Sequence, residues 1–373
     1  MANLLYNFAI LVLQLGSLTR SHMQVFDKFL SLFTHDIGID LGTSTTLVSV
    51  RGQGVVINEP SVVAVNKNTK KVLAVGVDAK RMIGRTPANI VAVKPMADGV
   101  ISDFDSTEAM IRYFIYKVYE YYPKMFKLTK PRVVIGIPSS ITEVEARAVI
   151  DAAVSAGARK VYIIEEPMAA AIGSRLPIDD AAGSMIVDIG GGTTDIAVIS
   201  LGGIVVDNTI RVGGNELDEE ILNYIKYKYN LLIGSKMAED VKIAIGSAVT
   251  MKPEKELDVK GRDMLTGLPR TIKLSSIEVR EAMLKVLEKI SDAVRGALEK
   301  TPPEILADLL ERGIVLAGGG ALIYGIDRFF EERLKTPVII TEDPIKAVVR
   351  GTEVLLEELE LLERIQISKD EII

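Results

Sequence analysis

No cysteine occurs anywhere in the 373-residue sequence, and histidine occurs only twice, at His22 and His35. The first absence excludes disulfides, thiolate nucleophiles and cysteine-ligated metals, and it is compatible with a reducing cytoplasm. Both histidines precede the first motif that reads as folded, which argues against a histidine-based catalytic or metal centre. A surplus of positive charge is also missing: 44 Lys and Arg against 50 Asp and Glu leave a net charge of −6. Nucleic acid is therefore not expected as a main partner, because no excess of cations is left to neutralise phosphates. The apolar stretch at 4–15 is interrupted by Asn7 and Gln14 and falls short of a spanning helix, which needs ~20 residues. It also lacks the basic start and small-residue cleavage site of a signal peptide. The chemistry must run on carboxylates, hydroxyls and backbone amides.

What is present reads as globular. Hydrophobic residues make up 48% and charged residues 25% of the chain, a balance foreign to disordered or collagen-like sequences. At this length two domains are the natural expectation. Two readings of residues 1–22 stay open: an upstream extension with Met23 as the biological start, or a genuine extra anchor. Beyond them Val25, Phe26, Phe29, Leu30, Leu32 and Phe33 fall on one helical face, with Gln24, Asp27, Lys28 and Ser31 opposite. That spacing predicts an amphipathic helix ahead of the fold.

From Asp36 onward strands and helices alternate. Residues 37–41 and 46–50 read as strands around a Gly-Thr-Ser turn, and 133–137 as another strand. A helix should follow, opened by the capping-box spacing of Thr142 and Glu145 and closed at Gly157, with the next strand at 161–164. Such a βαβ unit implies a parallel pair in a helix-covered sheet, hence an α/β fold. Residues 185–189 and 195–199 then repeat the opening pattern of strand, glycine turn and strand. In register, Asp40-Leu41-Gly42-Thr43-Ser44-Thr45-Thr46 matches Asp188-Ile189-Gly190-Gly191-Gly192-Thr193-Thr194. A repeat so widely spaced is not a solenoid period. It predicts two similar domains, each offering one hairpin loop to a shared cleft.

Glycines at such turns let the backbone approach a ligand closely. The amides and hydroxyls of Gly42, Thr43, Ser44 and Thr45, and of Gly190, Gly191, Gly192 and Thr193, can then donate to phosphate oxygens. Two loops from opposite sides would clamp a polyphosphate. Asp40 and Asp188 would face each other and repel unless a divalent cation intervened. Mg2+ fits, because it keeps its waters and needs few carboxylates. A single glycine turn is usually only a turn; a matched pair with matched aspartates argues otherwise. Three weaker signals accompany it. Gly318-Gly319-Gly320-Ala321-Leu322 follows an apolar strand at 313–317 and opens an apparent helix, either a plain helix entry or a phosphate or ribose contact. Glu239 and Lys242, on one helix face, are either a surface pair or the wall of a nucleoside pocket, with Glu239 on the ribose and Lys242 by the base. Glu165-Glu166-Pro167 runs from a strand into a small-residue helix. Its acid either favours the helix dipole or orients and deprotonates an attacking water.

These motifs resemble a known family. Asp-Leu-Gly-Thr at 40–43, Asp-Ile-Gly-Gly-Gly-Thr-Thr-Asp at 188–195 and Ala-Gly-Gly-Gly-Ala-Leu at 317–322 are similar to the phosphate and adenosine motifs of the actin, sugar-kinase and chaperone ATPase superfamily. Within it, residues 94–101, 164–173 and 245–248 resemble the MreB family. Asp343-Pro344 with Ala347, Gly351 and Thr352 resembles that family's second connecting helix. The resemblance covers about 36–360. It implies an actin-like ATPase fold with ribonuclease H-like duplicated domains, four subdomains around a nucleotide cleft. The first domain would span 36–172 with a smaller subdomain at about 60–92, and the second 173–338 with a smaller subdomain at about 215–300. The segment 339–373 would return to the first domain, and 1–35 would hold the extension and amphipathic helix.

The implied cofactors are ATP and Mg2+, with Asp40 and Asp188 at the metal and Glu166 and Thr193 positioning the attacking water. Implied nucleotide contacts are the two loops, Gly214, Glu239, Lys242 and residues 318–322. The implied activity is a weak Mg-dependent ATPase coupled to polymerisation. Its paired filaments would lie on the inner face of the cell membrane, direct wall synthesis with RodZ and MreC/MreD-type proteins, and maintain rod shape. Two departures stand out: Ser44-Thr45 where the family pattern has Ala-Asn, and Asn215 where it has Asp. The competing readings are a chaperone-type ATPase, which would carry a peptide-binding domain after the last motif, and a soluble phosphotransferase, which would need an acceptor pocket with its own base. Residues 121–130 bear on the membrane. Met125, Phe126 and Leu128 alternate with Lys124, Lys127 and Lys130, a pattern suited to an anionic leaflet at ~1 kcal/mol per lysine. Alternatively these apolar residues fold back onto the body.

Overall fold

The computed structural model describes residues 36–85, 87–97, 99–121 and 130–367. Val25, Phe26, Phe29, Leu30, Phe33, Met125 and Phe126, expected at a membrane, lie outside the described residues. The chain begins with antiparallel strands β1 (Ile37–Leu41), β2 (Thr45–Val50) and β3 (Gly54–Pro60). A small sheet follows, made of β4 (Val63–Asn66), β5 (Val72–Val75) and β6 (Ile90–Val93), with helix α1 (Val77–Met82) between the last two. The hairpin β7 (Met96–Ala97) and β8 (Val100–Ile101) leads into α2 (Phe104–Tyr121). Then come β9 (Arg132–Ile137), α3 (Glu143–Ser155), β10 (Lys160–Glu165) and α4 (Glu166–Gly173). The main sheet has the order β10-β9-β1-β2-β3, with β1, β9 and β10 parallel. β1 and β9 are buried along their whole length, as strands covered on both faces must be. α3 opens at the expected capping box, Thr142 accepting from the Glu145 amide while the Glu145 carboxylate accepts from that of Thr142.

The second half repeats the plan. β11 (Ser184–Ile189), β12 (Thr194–Ser200) and β13 (Gly203–Ile210) are antiparallel. After them come α5 (Gly214–Tyr229), β14 (Leu231–Leu232), α6 (Ser235–Ile245), β15 (Glu256–Asp263) and β16 (Pro269–Ser275), whose strands form a second small sheet. α7 (Ser276–Lys300), α8 (Pro303–Arg312), β17 (Ile314–Ala317), α9 (Ile326–Leu334), β18 (Val338–Ile340), α10 (Ala347–Glu357) and α11 (Leu359–Ile365) complete the chain. The order β13-β12-β11-β17-β18 matches the first sheet strand for strand. Both small sheets enter at the same point, between the third and fourth strands. The duplication therefore extends from the loops to the topology.

One expectation needs correcting. The cluster at Gly318 opens a single 3-10 turn, Gly319–Leu322, and the α-helix starts only at Ile326. Gly318 at φ 78° and Gly325 at φ 73° take the backbone out of the right-handed region on both sides, which leaves room for one turn only.

The chain passes between the halves along α4 and again on its way into α10, which packs on β1, β2 and β9. The two helices meet backbone to backbone. A Cβ on Gly173 would lie 1.9 Å from the Ala347 carbonyl oxygen, and one on Gly351 would lie 1.9 Å from that of Ala169. Their apolar faces join a core cluster that also takes Val134 from the first sheet and Ile186 from the second.

Candidate functional site

A cavity of about 910 Å3 opens between the halves, with both hairpin loops on its wall. Gly42, Thr43, Ser44 and Thr45 line it from the β1–β2 turn, and Gly190, Gly191 and Thr193 from the β11–β12 turn. Asp40 and Asp188 are the penultimate residues of β1 and β11, and both reach the cavity from buried positions. In the parallel registers they sit beside Gly136 and Ala317. The first of these clears space for another acid, since a Cβ on Gly136 would lie 3.5 Å from the Glu166 side chain.

The loops touch across the cleft. A Cβ on Gly191 would be 2.1 Å from the Ser44 hydroxyl oxygen, so only glycine admits this approach. Ser44 donates to Asn215 Oδ1 at 3.3 Å, and the Lys94 ammonium donates to the same oxygen at 3.3 Å. Ser44 belongs to the first departure from the family pattern and Asn215 is the second, and here they are partners. The first loop is braced from behind by Ser61, which donates to the Gly42 carbonyl at 2.5 Å, and by Thr43, which accepts from the Gly99 amide at 3.3 Å.

Glu239 and Lys242 reach the wall from α6, close to Gly214. Lys242 donates to the Gly214 carbonyl at 2.8 Å and pairs with Asp218 at 2.8 Å. Glu239 takes an ion pair from Lys80 of α1 at 3.0 Å, spanning the two small sheets' subdomains. Half-exposed pairs of this kind contribute only ~0–1 kcal/mol. Gly318, Gly319, Gly320 and Leu322 also line the cavity. Gly192 and Ala321 do not. The 3-10 turn directs Ala321 into the second half's core, fully buried, and leaves Leu322 exposed; Gly192 is buried within its turn.

Four carboxylates crowd this region, and among the described residues no cation is recorded as lowering the proton affinity of any of them. Burial raises Asp40 to about 7 and lifts Asp188 well above the usual range, where the charges of Asp40 and Asp195 add to it. Glu166 is likewise pushed well up, first by burial and then by Asp195, Asp40 and Asp188. Asp195 rises to about 6 through burial, against hydroxyl donors on Thr209 and Thr193. Glu166 Oε1 is buried without a hydrogen-bond partner. Among the described residues no group of three or more Asp, Glu, His or Cys gathers as a metal cage. Two converging, uncompensated carboxylates without a cage fit Mg2+, which retains waters and binds phosphate oxygens.

Residues 34–364 match the family model described as MreB/Mbl protein. The chain belongs to the MreB/Mbl family. It is 51% identical over 331 residues to the cell shape-determining protein Mbl of Bacillus cereus, covering 89% of this chain and 98% of that protein. It is 49% identical over 338 residues to the cell shape-determining protein MreB of Escherichia coli, covering 90% and 96%. The solved structure of MreB5 of Spiroplasma citri bound to ADP superposes with a TM-score of 0.82 at 40% identity, over 87% of this chain and 96% of that one. The MamK double helical filament gives a TM-score of 0.72 at 25% identity, over 86% and 98%. The fold of this MreB/Mbl-family chain is thus the actin-like ATPase fold, as the family resemblance implied.

Sequence reasoning assigned no role to Asp195, Lys80 or Lys94. Asp195 carried a signal: it stands two residues after Thr193, at the entry to β12. Lys80 carried none, because its partner lies 159 residues away.

Proposed function

We propose that this chain binds and hydrolyses ATP in the cavity between its halves, assembles into filaments, and serves cell shape as the names of its relatives indicate. The single observation that carries the reading is the pair of matched hairpins bringing Asp40 and Asp188 to one cavity beside an unpartnered Glu166. Amides and hydroxyls of residues 42–45 and amides of residues 190–193 hold the phosphates, and the Lys94 ammonium at the loop junction draws the polyphosphate in. The nucleoside lies between α6, with Glu239 and Lys242, and the turn at 318–322. Asp40 and Asp188 hold Mg2+, which when bound supplies the charge that offsets these acids and the phosphates. Glu166, its affinity for protons raised by burial, takes a proton from the attacking water, and Thr193 holds that water in place.

On the same reading the domains run 36–172 and 173–338, with smaller subdomains at about 60–92 and 215–300, and 339–373 returns to the first. Filament growth is the expected consequence of ATP binding, since homologous chains with this fold form filaments. Membrane attachment through residues 25–33 and 125–126, on the cytoplasmic face, with RodZ and MreC/MreD-type proteins as partners, completes the proposal. No helix among the described residues is long and apolar enough to cross a membrane. The test is to add ATP and Mg2+ to the purified chain and follow light scattering and phosphate release together. Both should rise. Phosphate release with no scattering at any protein concentration would point to a chaperone-type ATPase instead, and turnover only with an added acceptor to a soluble phosphotransferase.

A further inference from the structure

One acid of the cluster stands behind the cavity wall rather than on it. Asp195, near the start of β12, is 2% exposed and lies cross-strand from Asp188. Its carboxylate accepts from the Thr209 hydroxyl on β13 at 2.6 Å and from the Thr193 hydroxyl. Thr193 itself lines the cavity, as does Glu166. The opposite side of Thr193 is fixed as well. A Cβ on Gly99 would lie 2.7 Å from the Thr193 methyl group, so that methyl packs against bare backbone. A β-branched side chain has few rotamers to choose from, and with its methyl held at Gly99 the hydroxyl is turned to Asp195.

A hydroxyl carries one proton and two lone pairs. With its proton committed to Asp195, Thr193 presents only acceptor capacity to the cavity. Glu166 Oε1 is a second acceptor with nothing bound to it. We infer that Asp195 is a positioning residue for ATP hydrolysis, holding the Thr193 hydroxyl as an acceptor so that the attacking water donates one proton to Thr193 and one to Glu166. This rests on the hydrolytic reading above. The water's lone pair then faces the γ-phosphorus. Its oxygen bonds to that phosphorus, and the bond to the β–γ bridging oxygen breaks with its electron pair leaving on ADP. The proton shared with Glu166 passes to that carboxylate, while Asp195 exchanges none. Without Asp195 the Thr193 proton is free to point at the water or a phosphate oxygen, and the water loses its preferred orientation.

The test uses the full chain carrying Asp195→Ala, Thr193→Val, or both, beside an Asp195→Asn control whose amide oxygen can still accept from Thr193. The readouts are kcat and KM for ATP, affinity for a non-hydrolysable ATP analogue, and melting temperature. Each single change should lower kcat by ~10- to 100-fold, the scale of lost supporting contacts around a site, with analogue affinity held within about twofold of the parent. The double variant should be no slower than the slower single one, because both remove the same acceptor. D195N should melt at or above the parent, since an amide relieves repulsion among the buried acids. Multiplying losses in the double variant would give Asp195 an independent role and overturn the inference. Unchanged kcat in D195A would overturn it too, as would a D195N chain that fails to fold and so marks a structural role. If the unaltered chain releases no phosphate, the hydrolytic reading itself falls; an active parent isolates the inference.

Discussion

The two halves share a strand order but divide the chemistry between them. In each, the fifth strand runs into acid, acid and proline: Glu165-Glu166-Pro167 after β10 and Glu342-Asp343-Pro344 after β18. Glu166 is buried at the cavity with an open acceptor, whereas Asp343 lies exposed at φ 49° and accepts from Lys346 at 2.6 Å. The hairpins diverge in the same way. The first contributes hydroxyl side chains, while the second contributes glycines whose lack of a Cβ makes space for Ser44. A duplicated site has become asymmetric, the first copy keeping the open acid Glu166 and the second the glycines that admit the first loop.

The sharpest way to test this division is to remove the equivalent acids in turn. Glu166→Ala should slow phosphate release by ~10²- to 10⁴-fold, as loss of a general base does, whereas Asp343→Ala should leave it within about twofold. Equal effects on a phosphate-release assay would mean that the halves are not specialised. Next in size is Gly191→Ala, which forces a methyl onto Ser44. Overpacking of ~1–3 kcal/mol corresponds to a ~5- to 150-fold loss of nucleotide affinity, and Ser44→Gly in the same chain should restore part of it. Fluorescent-nucleotide titration reads both, and no rescue would show that the loops need not touch.

A smaller effect concerns pH in the absence of nucleotide. Asp40 and Asp195 hold protons to about 7 and about 6, against 3.8 for a free aspartate. Between those limits the folded chain binds protons that the unfolded chain has lost, so stability falls as pH rises. The melting temperature should drop between pH 5 and 7 and level off above, and Asp188→Asn should flatten the slope by removing a repelling neighbour. A melting temperature that rises over this range would contradict the crowding of uncompensated acids. The smallest expected change is Ser44→Ala. Losing one hydrogen bond costs ~0.5–1.5 kcal/mol, so nucleotide affinity should fall by no more than ~10-fold, with no further loss when Asn215→Ala is added.

The paired loops were legible because aspartate, glycine and hydroxyl residues recur in one order at both strand ends, and that order also implied the repeated sheet. Helix starts with reciprocal caps, such as Thr142 with Glu145, were legible for the same local reason. What escaped depends on residues distant in sequence. The Ser44–Asn215 bond joins positions 171 apart, and its two members had been noted only as separate irregularities. Asp343-Pro344 was legible as the approach to the second connecting helix but not as the counterpart of Glu166-Pro167, because a 3-10 turn, Pro344–Lys346, precedes that helix. Ala321 was placed at the ligand by its neighbours, but a one-turn helix sends adjacent side chains in different directions.

The contact between α4 and α10 has a consequence for how the pocket can be tuned. Neither Gly173 nor Gly351 lines the cavity, yet their backbone contacts hold the two connecting helices together. A side chain at either would act as a wedge at the far end of a lever, widening the jaws without altering a single group that grips the ligand. Affinity in this molecule is therefore inheritable at two positions outside the binding site, and a chain could weaken its hold on nucleotide while keeping every residue of its pocket.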